Sequence, residues 1–545
     1  MECLPWCPHT ICRLGPPVNR GRVSEKSNEM KELEQVLVLF VAAVLLAAAA
    51  RRTGAPYPVF LALGGALLAF LPIGTSFSFT LPPELALALF VAPVLLDAAF
   101  DASLRDLRDN WAPVAGLVIV AVGLTTVAVA IVTRALVPDV PWAPAIVLGA
   151  VVAPPDAVAA TAVLRHLRPP HRILTILEGE SLLNDASALL IYRLAVGAVT
   201  AGGFSAAAVA PTFLLAVVGS VIAGPSLGWV TLRLLARIEH VPTAIILQFV
   251  TTFAVWIFAE TIGLSGVLTM VCYATTVAQT APERIPARIR IPTYAVWETV
   301  VFALNILAFI FIGLQIRPIV DGLNPSERSQ YLTVAGAILV TVIVVRLAWH
   351  MSFNAVIRWR DRRFGFNPPR PMLRPTVASG LVISWSGMRG IVSLAAALAL
   401  PITFPHRNLI VLSAFSVVLG TLIIQGLTLK PLLRALNLTD DDPVGREERT
   451  ARERALRAGL ASIAAAHSPE ADAVRQEFVA HLTEDSGDRD GDSQHGAMHR
   501  RALDAARQEV LTMRANNEIG DDAFHRIEEE LDWLEMAGRT AGRNE

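Results

Sequence analysis

From Val36 to Leu433 the chain alternates between long apolar runs and short polar breaks. The runs are roughly 15–27 residues long, close to the length of about 17–25 that a helix needs to cross a hydrocarbon core. They lie at Val36–Ala50, Tyr57–Leu71, Leu85–Phe100, Trp111–Val137, Trp142–Leu164, Ile173–Val199 and Pro211–Leu235. They continue at Thr243–Phe258, Leu264–Ala278, Trp297–Ile316, Tyr331–Ala355, Ala378–Ala399 and Leu409–Leu429. The pattern therefore predicts about thirteen spans by the hydropathy criterion, the first two of them short. All-round apolarity makes each a helix, because backbone groups in lipid must be satisfied within the segment. The even alternation of a β-barrel is absent. The fold class is an all-α polytopic membrane protein.

Composition sharpens this division. Of 545 residues 54% are hydrophobic and only 17% charged, with a mean hydropathy of +0.52. A soluble chain carries about a quarter charged residues. Residues 30–435 form one transmembrane domain, residues 436–545 a polar tail, and residues 1–29 an extension expected to be disordered. The net charge of −1 gives no bulk attraction to nucleic acid, and the bilayer is the implied partner.

Loop charge sets the orientation. Arg51, Arg52, Arg105, Arg108, Arg165, Arg168, Arg172, Arg233, Arg237, Arg284, Arg288, Arg290 and the Arg358–Arg363 cluster fall on one side. Little more than Arg134, Arg317, Arg328 and Arg407 falls on the other. Positive charge marks the cytoplasmic side, which puts the N-terminus outside and the tail inside. Arg13, Arg20, Arg22 and Lys26 run against the rule, in a segment that also holds Cys3, Cys7, Cys12 and His9. Their spacing matches no standard zinc pattern. No basic leader and cleavage site follow Met30, so a first membrane helix is expected there rather than a removed signal peptide. Cys272, inside a span, reads as packing.

Candidate chemistry lies in polar residues within the apolar runs, each costly in lipid. Ala153-Pro154-Pro155-Asp156 sits in the fifth run; paired prolines remove donors and break the helix, leaving free carbonyls beside a carboxylate. A plain proline kink is the bland alternative. Broken midplane helices are where transporters hold ions. Glu178-Gly179-Glu180-Ser181-Leu182-Leu183-Asn184-Asp185 places three acids in the sixth run. Residues four apart share a face, so Ser181 stacks with Asp185, offering hard oxygen ligands for a small cation, and Glu180 stacks with Asn184. Ser384-Trp385-Ser386-Gly387-Met388-Arg389-Gly390 reads as a second loosened helix around a buried guanidinium that needs an anion; Glu180 is the expected partner. Asp97 is a further intramembrane acid, either a ligand or a residue at the cytoplasmic end.

These motifs carry a resemblance. The Glu178–Asp185 segment resembles the signature of the sodium/proton exchangers of bacteria and animals, the first family of monovalent cation:proton antiporters. Pro154-Pro155-Asp156-Ala157-Val158 and Trp385-Ser386-Gly387-Met388-Arg389-Gly390 resemble further motifs, as does Trp297-Glu298 with Phe302, Asn305, Phe309 and Gly313. The resemblance implies thirteen helices in two inverted repeats, two broken helices that cross, a dimerisation domain and a homodimer. It implies Asp185 as the ion-binding, proton-exchanging acid, Ser181 and Asp156 as co-ligands of Na⁺ (or K⁺), and Asn184 as the partner of Asp156. Glu180 and Arg389 resemble a buried structural ion pair, and Asp97 sits where many members carry a glutamate that reaches the ion. An Asn-Asp pair is similar to the electroneutral branch. Pro155 is a departure, because many members have a threonine there. No cofactor is implied beyond the transported ions.

The chemistry also stands on elementary grounds. A carboxylate withdrawn from water holds a proton or a cation but not both, and if only a loaded site crosses the barrier, competition couples the two fluxes. K⁺/H⁺ exchange is the near alternative. A passive channel or sensor lacks a continuous polar pore lining. Gly263-Leu264-Ser265-Gly266 resembles the serine motif of intramembrane proteases, but such a serine needs a base and the clearest histidine within a span is His350. The chain is therefore not expected to be an enzyme. The tail, Arg/Glu-rich and helical in its charge spacing around a Gly/Asp/Ser linker at Asp485–Gln494, is a candidate site for a cytoplasmic regulator. Deleting it and finding an unchanged pH profile of transport would remove that idea. Arg- and Ala-rich usage with three lysines points to a bacterial inner membrane.

Overall fold

The computed structural model describes residues 20–53, 56–70, 83–164, 167, 169–200, 206–323, 325–367, 373–438, 442–465 and short stretches between 468 and 533. The N-terminal cysteines and the 485–494 linker lie outside the described residues. Every regular element among the described residues is a helix. The chain opens with α1 (Arg20–Thr53), α2 (Tyr57–Phe70), α3 (Pro83–Asp101) and the short α4 (Leu104–Asp109). The next run is α5 (Trp111–Ala115), a wide π-helical turn at Gly116–Ala121, and α6 (Val122–Leu136). Then come α7 (Trp142–Val152), α8 (Ala157–Leu164), α9 (His171–Thr200), α10 (Ala206–Leu235), α11 (Val241–Thr261) and α12 (Gly266–Arg284). The second half holds α13 (Ala287–Leu314), α14 (Ile316–Asp321), α15 (Pro325–Phe364), α16 (Val377–Trp385), α17 (Ile391–Leu398) and α18 (Arg407–Leu436). The tail contributes α19 (Pro443–Ser462).

Among the described residues seven helices are long and apolar enough to cross a membrane: Trp111–Leu136, His171–Val199, Leu214–Leu235, Val241–Thr261, Arg288–Asp321, Glu327–Phe364 and Arg407–Leu436. Tyr57–Phe70, Ala88–Phe100 and Trp142–Val152 are apolar but shorter. The fifth and twelfth runs each divide into two half-helices, α7 with α8 and α16 with α17, and a half-helix falls below spanning length by itself. α1 reaches back to Arg20, upstream of Met30, so the expected extension of residues 1–29 ends inside a helix.

The outward faces are those of a protein bathed in lipid. Leu45 on α1, Ile119 in the π-turn, Leu215 and Ile222 on α10, Ile246 and Ile257 on α11 and Val340 on α15 are all exposed. Such continuous apolar surface is unfavourable in water and is covered by acyl chains in a bilayer. Inside, the apolar side chains form two large clusters. One gathers residues of α6 to α9 and α15 to α18 with α1, α2 and the end of α13. The other gathers α3, α10, α11, α12 and the first half of α13. Helix α9 lies at the seam: Ile173, Ile176, Leu177 and Ala195 belong to the first cluster and Leu182 to the second. Within the first bundle α7 packs on α6 and α9, and α18 packs on α15, α16 and α17.

Candidate functional site

Two interrupted helices cross at the centre of the first bundle. The α7 helix ends at Val152, Ala153 still holds helical dihedrals, and the backbone is irregular through Pro154, Pro155 and Asp156; after Trp385 it is irregular from Ser386 to Gly390. Proline cannot donate to the carbonyl four residues back and crowds it, so the break at Pro154 and Pro155 is written in the sequence. A break in a dry interior obliges the fold to find partners for the freed backbone groups, and here the two breaks serve each other. Asp156 donates its backbone N–H to the Met388 carbonyl at 2.6 Å. The Arg389 guanidinium donates from Nε to the Val152 carbonyl at 3.0 Å, from Nη2 to the Ala153 carbonyl at 3.2 Å, and from Nη1 to the Gly387 carbonyl. Arg389 also donates its backbone N–H to Thr421 Oγ1 on α18, at 3.0 Å. The Pro155 carbonyl accepts from Asn184 Nδ2 at 3.0 Å, so Asn184 bonds the backbone just before Asp156 rather than the expected Asp156 side chain, which is held by the Val158 N–H. Arg389 thus lies at the negative C-terminal end of α7, where a cation is favoured.

Asp156 sits at the opposite kind of helix end. Its Oδ1 accepts the Val158 N–H at 2.9 Å at the start of α8, where unpaired N–H groups favour an anion. The neighbouring backbone is Gly390, and a Cβ there would run into the Asp156 carboxylate. Only glycine leaves room for that acid at the crossing.

On α9, Asn184 is fully buried and ties the helix to the first break, and the next side chain, Asp185, is half-buried and close enough to feel the charge of Asp156. Among the described residues the Asp185 carboxylate makes no hydrogen bond or ion pair, whereas Asn184, Asp156 and Arg389 all do. Ser181 lies one helical turn before Asp185, half-buried on the same face. Asp97 is half-buried on α3, which packs against α9 and α17. Two carboxylates in a dry site repel each other, and a bound cation or proton relieves that repulsion. The oxygens of Asp185, Asp156 and Ser181 are the hard donors that suit a small monovalent ion.

The expected pair of Glu180 with Arg389 is not formed. Glu180 pairs instead with Arg346 of α15, through a two-pronged contact in which Nη2 donates to Oε2 at 2.8 Å and Nη1 to Oε1. Their side chains are 2% and 3% exposed. Arg346 also donates from Nε to the Ser384 carbonyl at 3.1 Å and from Nη2 to the Ile383 carbonyl at 3.2 Å, at the end of α16. A Cβ on Gly387 would meet its guanidinium. The reason for the exchange of partners is supply and demand: the broken helices release enough carbonyl oxygens to surround Arg389, and the carboxylate of Glu180 is left for the other arginine. Arg346 is the residue that motif reading missed. Its signal was present all the same, a single arginine inside Val342–Ala348, an otherwise apolar run.

A sequence model described as sodium/hydrogen exchanger, transmembrane, matches residues 37–435. The chain belongs to that family. An uncharacterized Na(+)/H(+) exchanger of Mycobacterium tuberculosis is 31% identical over 532 residues, covering 92% of this chain and 95% of the relative. The sodium, potassium, lithium and rubidium/H(+) antiporter of Bacillus subtilis is 32% identical over 394 residues, covering 69% of this chain and 58% of its own. The sodium proton antiporter MjNhaP1 from Methanocaldococcus jannaschii superposes with a TM-score of 0.57 at 15% identity, covering 75% of this chain and 99% of that one. The last comparison speaks for the fold.

Members of the sodium/hydrogen exchanger family are transporters, not enzymes. Ser265 caps α12, its hydroxyl accepting the Leu268 N–H at 3.3 Å, and its backbone exchanges contacts with the Ser220 hydroxyl. His350 lies on α15, beside a cavity of about 370 Å³ bordered by Pro113, Ile176 and Asn354. No hydrogen bond joins it to Ser265 among the described residues.

Proposed function

We propose that this chain is a secondary antiporter that exchanges Na⁺ for H⁺ by alternating access. Asp185 is the acid that carries the proton or the cation in turn, with Asp156 and Ser181 as co-ligands. The observation that carries the reading is the unpaired carboxylate of Asp185 beside Asp156, at the crossing of two broken helices and on the seam between two bundles. A carboxylate fully paired within the protein would have no use for a cargo ion. One left open, next to a second acid, takes a cation or a proton and releases one when it gains the other. Movement of the bundle that carries Asp185 against the second bundle then presents the loaded site to alternate sides.

Finer features belong to the same reading. Residues 30–435 form the transporting domain, with thirteen membrane crossings in two inverted repeats once each pair of half-helices is counted as one. Residues 436–545 form a cytoplasmic appendage open to a regulator, the N-terminus lies outside, and the protein works as a homodimer in a bacterial inner membrane. The Asn184–Asp185 pair supports an electroneutral cycle. K⁺/H⁺ exchange is the second reading, favoured by the breadth of cations in the name of the Bacillus subtilis relative and by Pro155, which offers no side-chain hydroxyl to a small ion.

The test is dequenching of a pH-sensitive dye in everted vesicles on adding Na⁺, K⁺ or Li⁺, with the unaltered protein beside Asp185→Asn. Dequenching is expected for the unaltered protein alone, strongest with Na⁺. No response to any cation, with the protein present in the membrane, would remove the antiport reading.

A further inference from the structure

A second charged device lies further along α9. Arg193 comes two helical turns beyond Asp185, about 12 Å along the axis at 1.5 Å per residue, toward the end away from His171. Its Nη2 donates to Glu260 Oε1 at 2.6 Å and to Oε2 at 2.5 Å, and its Nη1 donates to the Leu264 carbonyl at 3.2 Å. Glu260 Oε1 in turn accepts the Gly266 N–H at 3.0 Å. The guanidinium therefore grips a preformed anionic cradle, made where α11 turns into α12 through Gly263, at φ +78°. The Gly263-Leu264-Ser265-Gly266 motif, which resembled a protease signature, is the backbone of that cradle.

The pair joins the two bundles. Arg193 belongs to the helix that bears Asp185, and its neighbour Ala195 sits in the first apolar cluster. Glu260 follows Val255 and Trp256 of the second cluster, and Leu264 is buried beside α10, close to Gly219. Both charged side chains are partly exposed, 43% for Arg193 and 36% for Glu260. A charge so exposed within the membrane is costly against lipid and acceptable against water. The pair thus faces an aqueous end of the seam.

We infer that Arg193 and Glu260 are gating residues of the exchange cycle: a latch that closes the seam above Asp185 on the side away from His171, and that parts when Asp185 is presented to that side. The inference rests on the alternating-access reading above. Its physical basis is that sliding one bundle past the other cannot preserve three hydrogen bonds from one guanidinium to a fixed turn. The latch is weak enough to open in each cycle, because an exposed ion pair contributes little. Its effect is on the population of the two access states, not on binding chemistry at Asp185.

The experiment measures the apparent KM for Na⁺ from each side of the membrane, in everted and in right-side-out vesicles. Four proteins are compared: unaltered, Arg193→Glu, Glu260→Arg and the double charge swap. Each single variant weakens the latched state, so the KM measured from the His171 side should rise by roughly 2- to 5-fold, the range an exposed pair supports. The KM from the opposite side should fall by a similar factor, and the double swap should return both toward their starting values. A merely structural role would lower activity without moving the two KM values in opposite directions. Unchanged KM values on both sides, shifts in the same direction, or no recovery in the double swap would each overturn the latch. If the unaltered protein shows no exchange at all, the antiport reading fails instead, and the two failures are told apart.

Discussion

Gly390 stands against the Asp156 carboxylate with no room for a methyl group. The cost of filling that space falls on the ion site, because the atoms a methyl group would meet all belong to the Asp156 side chain, whose carboxylate is held by the Val158 N–H. Gly390→Ala is therefore expected to reduce cation-dependent proton movement by more than 10-fold, since a displacement of about 1 Å at a reacting site costs about 100-fold. Expression and detergent-resistant folding should persist. Vesicle assays beside a size-exclusion profile check this, and normal transport by Gly390→Ala would mean that the crossing has room for a methyl group. At this scale the sequence was informative where residue types were out of place. Asp156 after two prolines, Asp185 in an apolar helix and Arg389 between glycines all stood out, and the structure brings Asp156, Asn184, Asp185 and Arg389 together. The partner of Glu180 was not legible. Two arginines in different runs compete for one carboxylate, and which one wins depends on how many carbonyls the breaks release, a quantity set only by the three-dimensional crossing.

At the scale of elements, one side chain ties α15, the 40-residue helix Pro325–Phe364, to two other helices. Arg346 fastens it both to Glu180 of α9 and to the last carbonyls of α16. Removing one partner of a buried ion pair leaves the other charge dry and uncompensated, which costs about 3–5 kcal/mol. Glu180→Gln should accordingly lower the thermal unfolding midpoint of the purified protein sharply, and far more than Glu239→Gln, whose side chain is 88% exposed. A midpoint unchanged by Glu180→Gln would show that the carbonyls alone satisfy Arg346. The helices themselves were legible from apolar run length, and the two interruptions from Pro154-Pro155 and from the glycines around Arg389. The π-helical turn at Gly116–Ala121 was not, because Gly-Leu-Val-Ile-Val-Ala has the pattern of any apolar helix and the extra residue per turn is a packing outcome. Nor was the start of α1, since Arg20 to Met30 continues in helix without an apolar signal.

For the whole molecule the decisive feature is the seam. Two apolar clusters meet along α9, the site lies on that line, and a charged pair bridges it nearer one end. The division into two bundles is a matter of packing and not of hydropathy, which marks each helix as membrane-borne and says nothing of its neighbours; in the sequence only the resemblance implies it. The polar tail forms a unit by itself, Asp442–Glu545, whose first helix is α19. At the heart of the proposed cycle one carboxylate site holds a proton and a cation in turn. The most direct test is the apparent KM for Na⁺ in proteoliposomes measured across a range of pH, with the same pH on both faces. Competition for one site predicts that KM rises by about 10-fold for each unit of acidification on the acid side while the maximal rate stays constant. A KM that holds steady across pH, with all of the pH dependence in the maximal rate, would rule out competition of proton and cation for one site.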